Sequence, residues 1–481
     1  MSILVIDVGT SSLRAAIVRP DSTVGEVQSR ATPPDSPFPG LVEFDAAALA
    51  ETVVDAAQAA LAAGGPVDAV GITNQRASTI VWDRTSGAPV APAIGWQDLR
   101  TVFDCLTLAS EKGLRFAPNQ SATKLVSILQ GLDQSDAADL CFGTVDSWVA
   151  WTLSGGRLHV TDRSNAAVTG LLQADGSAWD GEVLEALAVP GSMLPALVDS
   201  SGLVGEASAL RGAPPIAALI GDQQGSLIGQ GCVRPGLAKI TFGTGGMLDV
   251  YTGPSAPVSA QRAEHGTFPI VAWTVGGSIA WGQEAIMLSA GTNVEWLVDD
   301  LGMLSAPAES DEVAASGADS GGVVYVPALL GLGTPLWDFG ARGTLLGLTR
   351  GSGRPEVVRA VLEGVAHRGA DLVEAATADT GLAIEALRVD GGMSANATFV
   401  QALADASQRT VELSPMVEAT TLGAGYLAGL AVGTWTGLDD VAAAWRPRRS
   451  LQPGPPLDRE RWADAVGRAR SWMPDLSALD F

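Results

Sequence analysis

Three short stretches of the chain carry residue types suited to handling a phosphate chain. Leu4-Val5-Ile6-Asp7-Val8-Gly9-Thr10-Ser11-Ser12-Leu13-Arg14 sets one carboxylate, one glycine and three hydroxyls between two apolar runs. Glycine lets backbone amides approach an anion, hydroxyls donate to its oxygens, and Asp7 can hold a hydrated magnesium ion beside it. The design returns far downstream, where Ile240-Thr241-Phe242-Gly243-Thr244-Gly245-Gly246-Met247-Leu248 again places a glycine-hydroxyl turn between apolar runs. A third stretch, Gly221-Asp222-Gln223-Gln224-Gly225, presents a carboxylate between glycines. Phosphoryl transfer needs alignment, charge stabilisation and a carboxylate to take the acceptor's proton, and Asp222 is the best-placed candidate for that base. Plainer readings stand beside these: a Gly-Thr turn also serves as an ordinary connection, and Asp222 serves equally as a cap for the next helix.

The elements that must position these groups follow from local pattern. Each glycine-hydroxyl turn lies between two strands, so each half of the chain contributes one hairpin to the same phosphate chain. Asp45 is placed to cap an Ala-rich helix that ends at Gly64-Gly65, with Leu49, Val53, Ala57 and Leu61 on one face. Residues 67–73 form a short apolar strand that delivers Asn74-Gln75-Arg76 at its carboxyl end, where open α/β sheets present ligand-binding side chains. Residues 80–83 form another strand, and Trp96-Gln97-Asp98 sets an aromatic beside an amide and a carboxylate. Trp148 and Trp151 belong to a buried helix. In the second half, helices are expected from Gly291, over 355–376, over 397–407 and over 458–472, with strands at 323–326 and at 387–390 leading into Gly391-Gly392.

At 481 residues the chain exceeds one hydrophobic core and divides into two domains, expected at 1–225 and 226–481. Its 17% of charged residues and 47% of apolar ones set disorder aside. A formal net charge of −24 repels phosphate backbones, so neither nucleic acid nor an anionic membrane is an expected partner. Cys105, Cys141 and Cys232 are odd in number and scattered, which fits a reducing, cytoplasmic compartment. No secretory signal is expected, because the first apolar run is broken at Asp7. The uncharged stretch 419–438 is long enough to raise the question of a membrane span, but its glycines and threonines favour a buried helix.

The chain contains no Gly-x-x-x-x-Gly-Lys-Ser/Thr segment, and its first glycine turn joins strand to strand, which sets aside both a P-loop and a dinucleotide fingerprint. His159, His265 and His367 are isolated. Over residues 3–435 the chain resembles the FGGY carbohydrate kinases, and their glycerol kinases most closely. The resemblance is carried, in order, by Asp7-Val8-Gly9-Thr10-Ser11-Ser12, Gly71-Ile72-Thr73-Asn74-Gln75-Arg76, Trp96-Gln97-Asp98, Ser121-Ala122-Thr123-Lys124, Gly143-Thr144-Val145-Asp146-Ser147-Trp148, Gly221-Asp222-Gln223-Gln224, Thr241-Phe242-Gly243-Thr244-Gly245, Ala341-Arg342-Gly343-Thr344 and Arg388-Val389-Asp390-Gly391-Gly392.

The resemblance implies an α/β fold of two actin-like (ribonuclease H-like) ATPase domains with an interdomain cleft. It also implies an enzyme dependent on ATP and Mg2+ that phosphorylates a small polyol or sugar, as a homodimer or homotetramer. Thr10, Ser11, Ser12 and Arg14 match the family's first phosphate site, and Thr244 and Gly245 its second. Gly291 and Glu295 match positions near the nucleotide, although glycerol kinases usually carry glutamine where Glu295 stands, and Gly392 and Asn396 match the adenine-side turn. Asp222 falls on the catalytic base and, with Asp7, on the magnesium site through water. Arg76, Trp96 and Gln223 fall on the substrate pocket. Three pocket positions depart from glycerol kinases: Ala77 replaces a glutamate, Asn119 a tyrosine and Met247 an aromatic residue. Loss of the glutamate leaves Arg76 without that partner, and the smaller or more flexible side chains predict a roomier pocket for an acceptor of about four to five carbons. A true glycerol kinase with compensated changes is the alternative. A non-catalytic sugar- or nucleotide-binding regulator would lack the base or a phosphate turn, and a phosphatase-like hydrolase would turn over ATP without an acceptor.

Overall fold

A computed structural model describes residues 1–132, 139–416 and 418–480. The apolar runs on either side of the glycine turns become strands, and thirteen strands join one sheet. In chain order they are β1 (Ile3–Val8), β2 (Ser12–Val18), β3 (Val24–Ala31), β4 (Ala69–Asn74), β5 (Ser201–Glu206), β6 (Pro215–Gly221), β7 (Ala238–Phe242), β8 (Gly246–Gly253), β9 (Phe268–Val275), β10 (Ser278–Met287), β11 (Ala386–Asp390), β12 (Thr410–Leu413) and β13 (Arg449–Leu451). Their order across the sheet is β13-β12-β11-β7-β8-β10-β9-β5-β6-β4-β1-β2-β3.

That order contains one unit twice. β1 is antiparallel to β2 and parallel to β4, which is parallel to β6. β7 is antiparallel to β8 and parallel to β11, which is parallel to β12. The row β3-β2-β1-β4-β6 therefore recurs as β10-β8-β7-β11-β12, and the duplicated α/β architecture is present. β5 and β9 join the two units, pairing in parallel at Ser201 and Val275.

Five helices bear on the site: α1 (Ala46–Gly64), α2 (Asp222–Gly229), α3 (Thr292–Asp299), α4 (Ala397–Ser407) and α5 (Ala419–Ala431). Asp45 caps α1 by accepting from the Ala47 and Ala48 amides, and Leu49, Val53, Ala57 and Leu61 pack in one core with Leu4, Ile6 and Ile72. This helix is the one among the described residues with the length and hydropathy to cross a membrane, and its apolar face is spent on the sheet. The uncharged stretch 419–438 supplies α5, whose 13 residues fall short of the roughly 20 a bilayer requires. Although α5 comes late in the chain, its Leu422 and Leu427 share a core with Ile3, Val5 and Ile220 of the first unit and with Leu227 and Ile228 of α2.

Glycines set how closely α2 and α5 cross. A Cβ on Gly229 would stand 1.9 Å from the Ala419 carbonyl oxygen, and one on Gly423 1.9 Å from the Gly225 carbonyl oxygen. Gly225, predicted as a flank of Asp222, is thus a helix-crossing residue. Trp148 is buried, and Trp82 packs against Trp148 and Trp151 as core.

Candidate active site

The two glycine-hydroxyl turns are built differently. In the first, the Gly9 amide donates to the Ser12 carbonyl at 2.9 Å, leaving Ser11 exposed and Thr10 and Ser12 half-buried. Arg14, the third residue of β2, forms an ion pair with Glu418 at 2.9 Å, just ahead of α5. The second turn leans on the start of α3. A Cβ at Gly245 would lie 2.8 Å from the Met287 carbonyl oxygen, and one at Gly291 2.6 Å from that of Gly243, so both positions are backbone-on-backbone contacts that only glycine permits. Thr244 is exposed, and Glu295 is exposed on the first turn of α3. Gly392 has open space where a side chain would project. Asn396 caps α4: its Oδ1 accepts the Phe399 amide at 2.8 Å, and its Nδ2 donates to Ser310 Oγ at 2.9 Å.

Asp222 stands where β6 gives way to α2. Gly221 occupies the cap position, and among the described residues the Asp222 carboxylate accepts only the neighbouring Gln223 amide, at 2.8 Å. It is therefore the first helical residue and not the cap. A side-chain exposure of 28% leaves the carboxylate reachable, while its surroundings raise its pKa, burial outweighing the nearby Arg76. Asp7 lies close enough for the two charges to act on each other. Burial, then the Asp222 charge, push Asp7 up to about 7, and Thr421 Oγ1 donates to it at 3.1 Å.

Arg76 crosses Gly221, where a Cβ would meet its Cδ at 2.8 Å. Its Nε is 3.6 Å from Asp222 Oδ1, its Nη2 donates to Glu284 Oε2 at 2.6 Å, and Met247 Sδ is 3.8 Å from the same nitrogen. Its Nη1 is buried and has no partner among the described residues. Glu284 thus supplies the carboxylate that the alanine at position 77 does not. On neighbouring strands Asp249 is the register partner of Glu284, and Lys239 Nζ lies 2.8 Å from Asp249 Oδ2. The same ammonium donates to Gln223 Oε1 at 2.5 Å and to Thr241 Oγ1 at 3.1 Å. β7, β8 and β10 of the second unit therefore reach the carboxylate and guanidinium of the first. Burial raises the Glu284 pKa against the opposing pull of Arg76.

The remaining pocket residues are braced by the run Ser121-Ala122-Thr123-Lys124. Ser121 Oγ donates to the Ala77 carbonyl at 2.9 Å, and Lys124 Nζ donates to the carbonyls of Trp96 at 3.0 Å and Asn119 at 3.1 Å. Burial lowers Lys124 to about 7. Ala77 is buried at φ +62°, Asn119 is exposed, and the half-buried Trp96 donates its indole N–H to Thr10 Oγ1 at 3.1 Å. Asp98 is structural: it pairs with Arg100 at 2.8 Å and accepts the Val42 amide at 2.6 Å. A groove of about 550 Å3 around Arg84, Trp148 and Trp151 includes none of these residues.

Sequence reasoning did not single out Glu284, Lys239 or Asp249. Each is a charged residue inside an otherwise apolar strand, and a buried charge requires a partner, so that pattern was the available signal. Among the described residues no group of three or more His, Cys, Asp or Glu side chains could hold a metal ion. Magnesium commonly takes one or two carboxylates with phosphate oxygens and water, and the mutually repelling Asp7 and Asp222 are a donor pair of that kind. The exposed hydroxyls and close-packed glycines of the two turns suit a phosphate chain.

Family models describe both halves. The N-terminal domain of the FGGY family of carbohydrate kinases matches residues 2–229, and the C-terminal domain matches residues 238–432. A glycerol kinase of Aromatoleum aromaticum is 41% identical over 495 residues, covering 98% of this chain and 99% of that protein. Glycerol kinase 2 of Thermotoga maritima is 39% identical over 494 residues, covering 98% of this chain and 99% of that protein. The crystal structure of Plasmodium falciparum glycerol kinase with ADP superposes with a TM-score of 0.90 at 27% identity, covering 97% of this chain and 98% of that one. A xylulose kinase from Rhodospirillum rubrum, 24% identical with a TM-score of 0.81 over 99% of this chain and all of that one, shares the fold. Two actin-like units, matched in chain order by the family's N-terminal and C-terminal domains, make this chain a member of the FGGY family of carbohydrate kinases, which are ATP-dependent phosphotransferases.

Proposed function

We propose that the chain transfers the γ-phosphoryl group of ATP to a hydroxyl of a small polyol or open-chain sugar larger than glycerol, with Asp222 as general base. The observation that carries this reading is the Asp222 carboxylate, partly open, next to Arg76 and Asp7 at the junction of the two units. A raised pKa suits a base that must accept a proton from an alcohol. Thr10, Ser11, Ser12 and Arg14 hold phosphate from the first unit, and Thr244 and Gly245 from the second. Gly291, Glu295, Gly392 and Asn396 lie along the nucleotide. Asp7 and Asp222 would hold a magnesium ion, which would supply charge neutralisation for the phosphate oxygens. Arg76 donates to acceptor hydroxyls, Gln223 orders the pocket through Lys239, and Trp96 covers the carbon face of the polyol.

The larger acceptor is supported by Ala77, the exposed Asn119 and the flexible Met247 at positions that narrow the pocket of glycerol kinases. The whole-length similarity to glycerol kinases supports glycerol itself as the second reading. Glycerol and four- to five-carbon polyols and ketoses, assayed side by side for acceptor-dependent ADP release, separate them. Higher kcat/KM for a longer acceptor is expected, and glycerol preferred over every longer compound refutes the first reading.

A further inference from the structure

The charges beneath Asp222 are unequally shared. Arg76 makes its close contact with Glu284, at 2.6 Å, while its nearest approach to Asp222 is 3.6 Å, beyond hydrogen-bond distance. Both members of the close pair are at least nine-tenths buried, and they come from different units, Arg76 just after β4 and Glu284 on β10. Lys239, the other cation of the group, is committed to Asp249 and Gln223. Without Glu284 the nearest unclaimed carboxylate for the guanidinium is Asp222. Closing 3.6 Å to a forked pair would cover the base with two N–H groups and withdraw Nη1, the spare donor.

We infer that Glu284 is a positioning residue for phosphoryl transfer: it holds Arg76 off Asp222, keeping the base free and a guanidinium donor available for the acceptor. The inference rests on the pocket assignment proposed above. Glu284 acts through Arg76, so its loss affects acceptor use and turnover but not nucleotide binding, which lies with the two hairpin turns.

The test is a double-mutant cycle with whichever acceptor the unaltered enzyme phosphorylates best, glycerol included. Glu284→Gln is expected to raise acceptor KM about tenfold and lower kcat about tenfold, with ATP affinity by calorimetry within about twofold. In an Arg76→Ala background the same substitution is expected to change acceptor KM and kcat less than about twofold. Additive losses, kinetics unaltered by Glu284→Gln, or ATP affinity falling in parallel overturn the inference. Should Glu284→Gln not fold, Glu284→Asp, which keeps the charge but withdraws it by one methylene, is read in the same cycle. Failure of both to fold assigns Glu284 to the core and also overturns it. An unaltered enzyme that phosphorylates no polyol or sugar refutes the proposed function as well, whereas activity with an additive cycle refutes this inference alone.

Discussion

At the scale of single residues, the site depends on how burial and neighbouring charge are balanced on each carboxylate. Asp98 and Asp222 are both acidic residues in motif positions, yet Asp98 is held below the ordinary carboxylate range by Arg100 and backbone amides, overcoming its burial, while Asp222 is raised. Of the two, Asp222 is the better suited to accept a proton. Asp222→Asn is expected to lower kcat by about 10²–10⁴, the scale of a lost general base. Its denaturation midpoint should not fall, because the surroundings already disfavour the charge. Steady-state kinetics beside urea titration checks both, and turnover within threefold of the unaltered enzyme would remove Asp222 from the role. The motif residues were legible because hydroxyl, glycine and carboxylate side chains announce their chemistry. The partner of Arg76 was not, since Glu284 is 208 residues away and nothing local ties the two.

Among elements, the crossing of α2 and α5 positions the Asp222 carboxylate. α2 begins at Asp222, and its glycines let the α5 backbone approach to contact, so the start of α2 is pinned between β6 and a helix from the far end of the chain. Gly423→Ala places a methyl 1.9 Å from the Gly225 carbonyl oxygen. Such overpacking against backbone is expected to cost about 1–3 kcal/mol or more. Gly467→Ala, in the helix Arg459–Ala469 with nothing within 4 Å, is the control, expected to be neutral or stabilising by about 0.5–1 kcal/mol. Urea midpoints for the two variants test the crossing, and equal stability would mean that the helices can separate freely. The uncharged, glycine- and threonine-containing composition of 419–438 pointed to a buried helix, but not that it would lie on the first unit's sheet. Helical pattern encodes an apolar face, not the partner that covers it.

For the molecule as a whole, stability is coupled to pH through acids the fold has enclosed. Asp146, on the helix Val145–Leu153, accepts from Thr144 and from Thr161 Oγ1, the latter at 2.7 Å. Burial, followed by the charge of Asp162, pushes it up from 3.8 to about 7. The folded chain therefore holds this proton more tightly than the unfolded one. The stability it contributes is complete below about pH 4, declines as pH rises towards 7, and levels off above, on the order of a few kcal/mol. Asp146→Asn should remove that slope, so its urea midpoint should change less between pH 5 and pH 8 than that of the unaltered protein. Parallel pH profiles would show that Asp146 does not carry it.

Taken by itself, the sequence determined the two glycine-hydroxyl turns, the strands that flank them, their recurrence in each half of the chain and the residue types of the site, because these depend on backbone sterics and short-range pattern. Tertiary structure alone decided that Glu284 serves Arg76, that Lys239 is shared between Asp249 and Gln223, and that α5 braces the helix beginning at Asp222. Those pairings join residues from 10 to 208 positions apart, and a charge buried in a strand finds its partner only when the sheet is assembled around it.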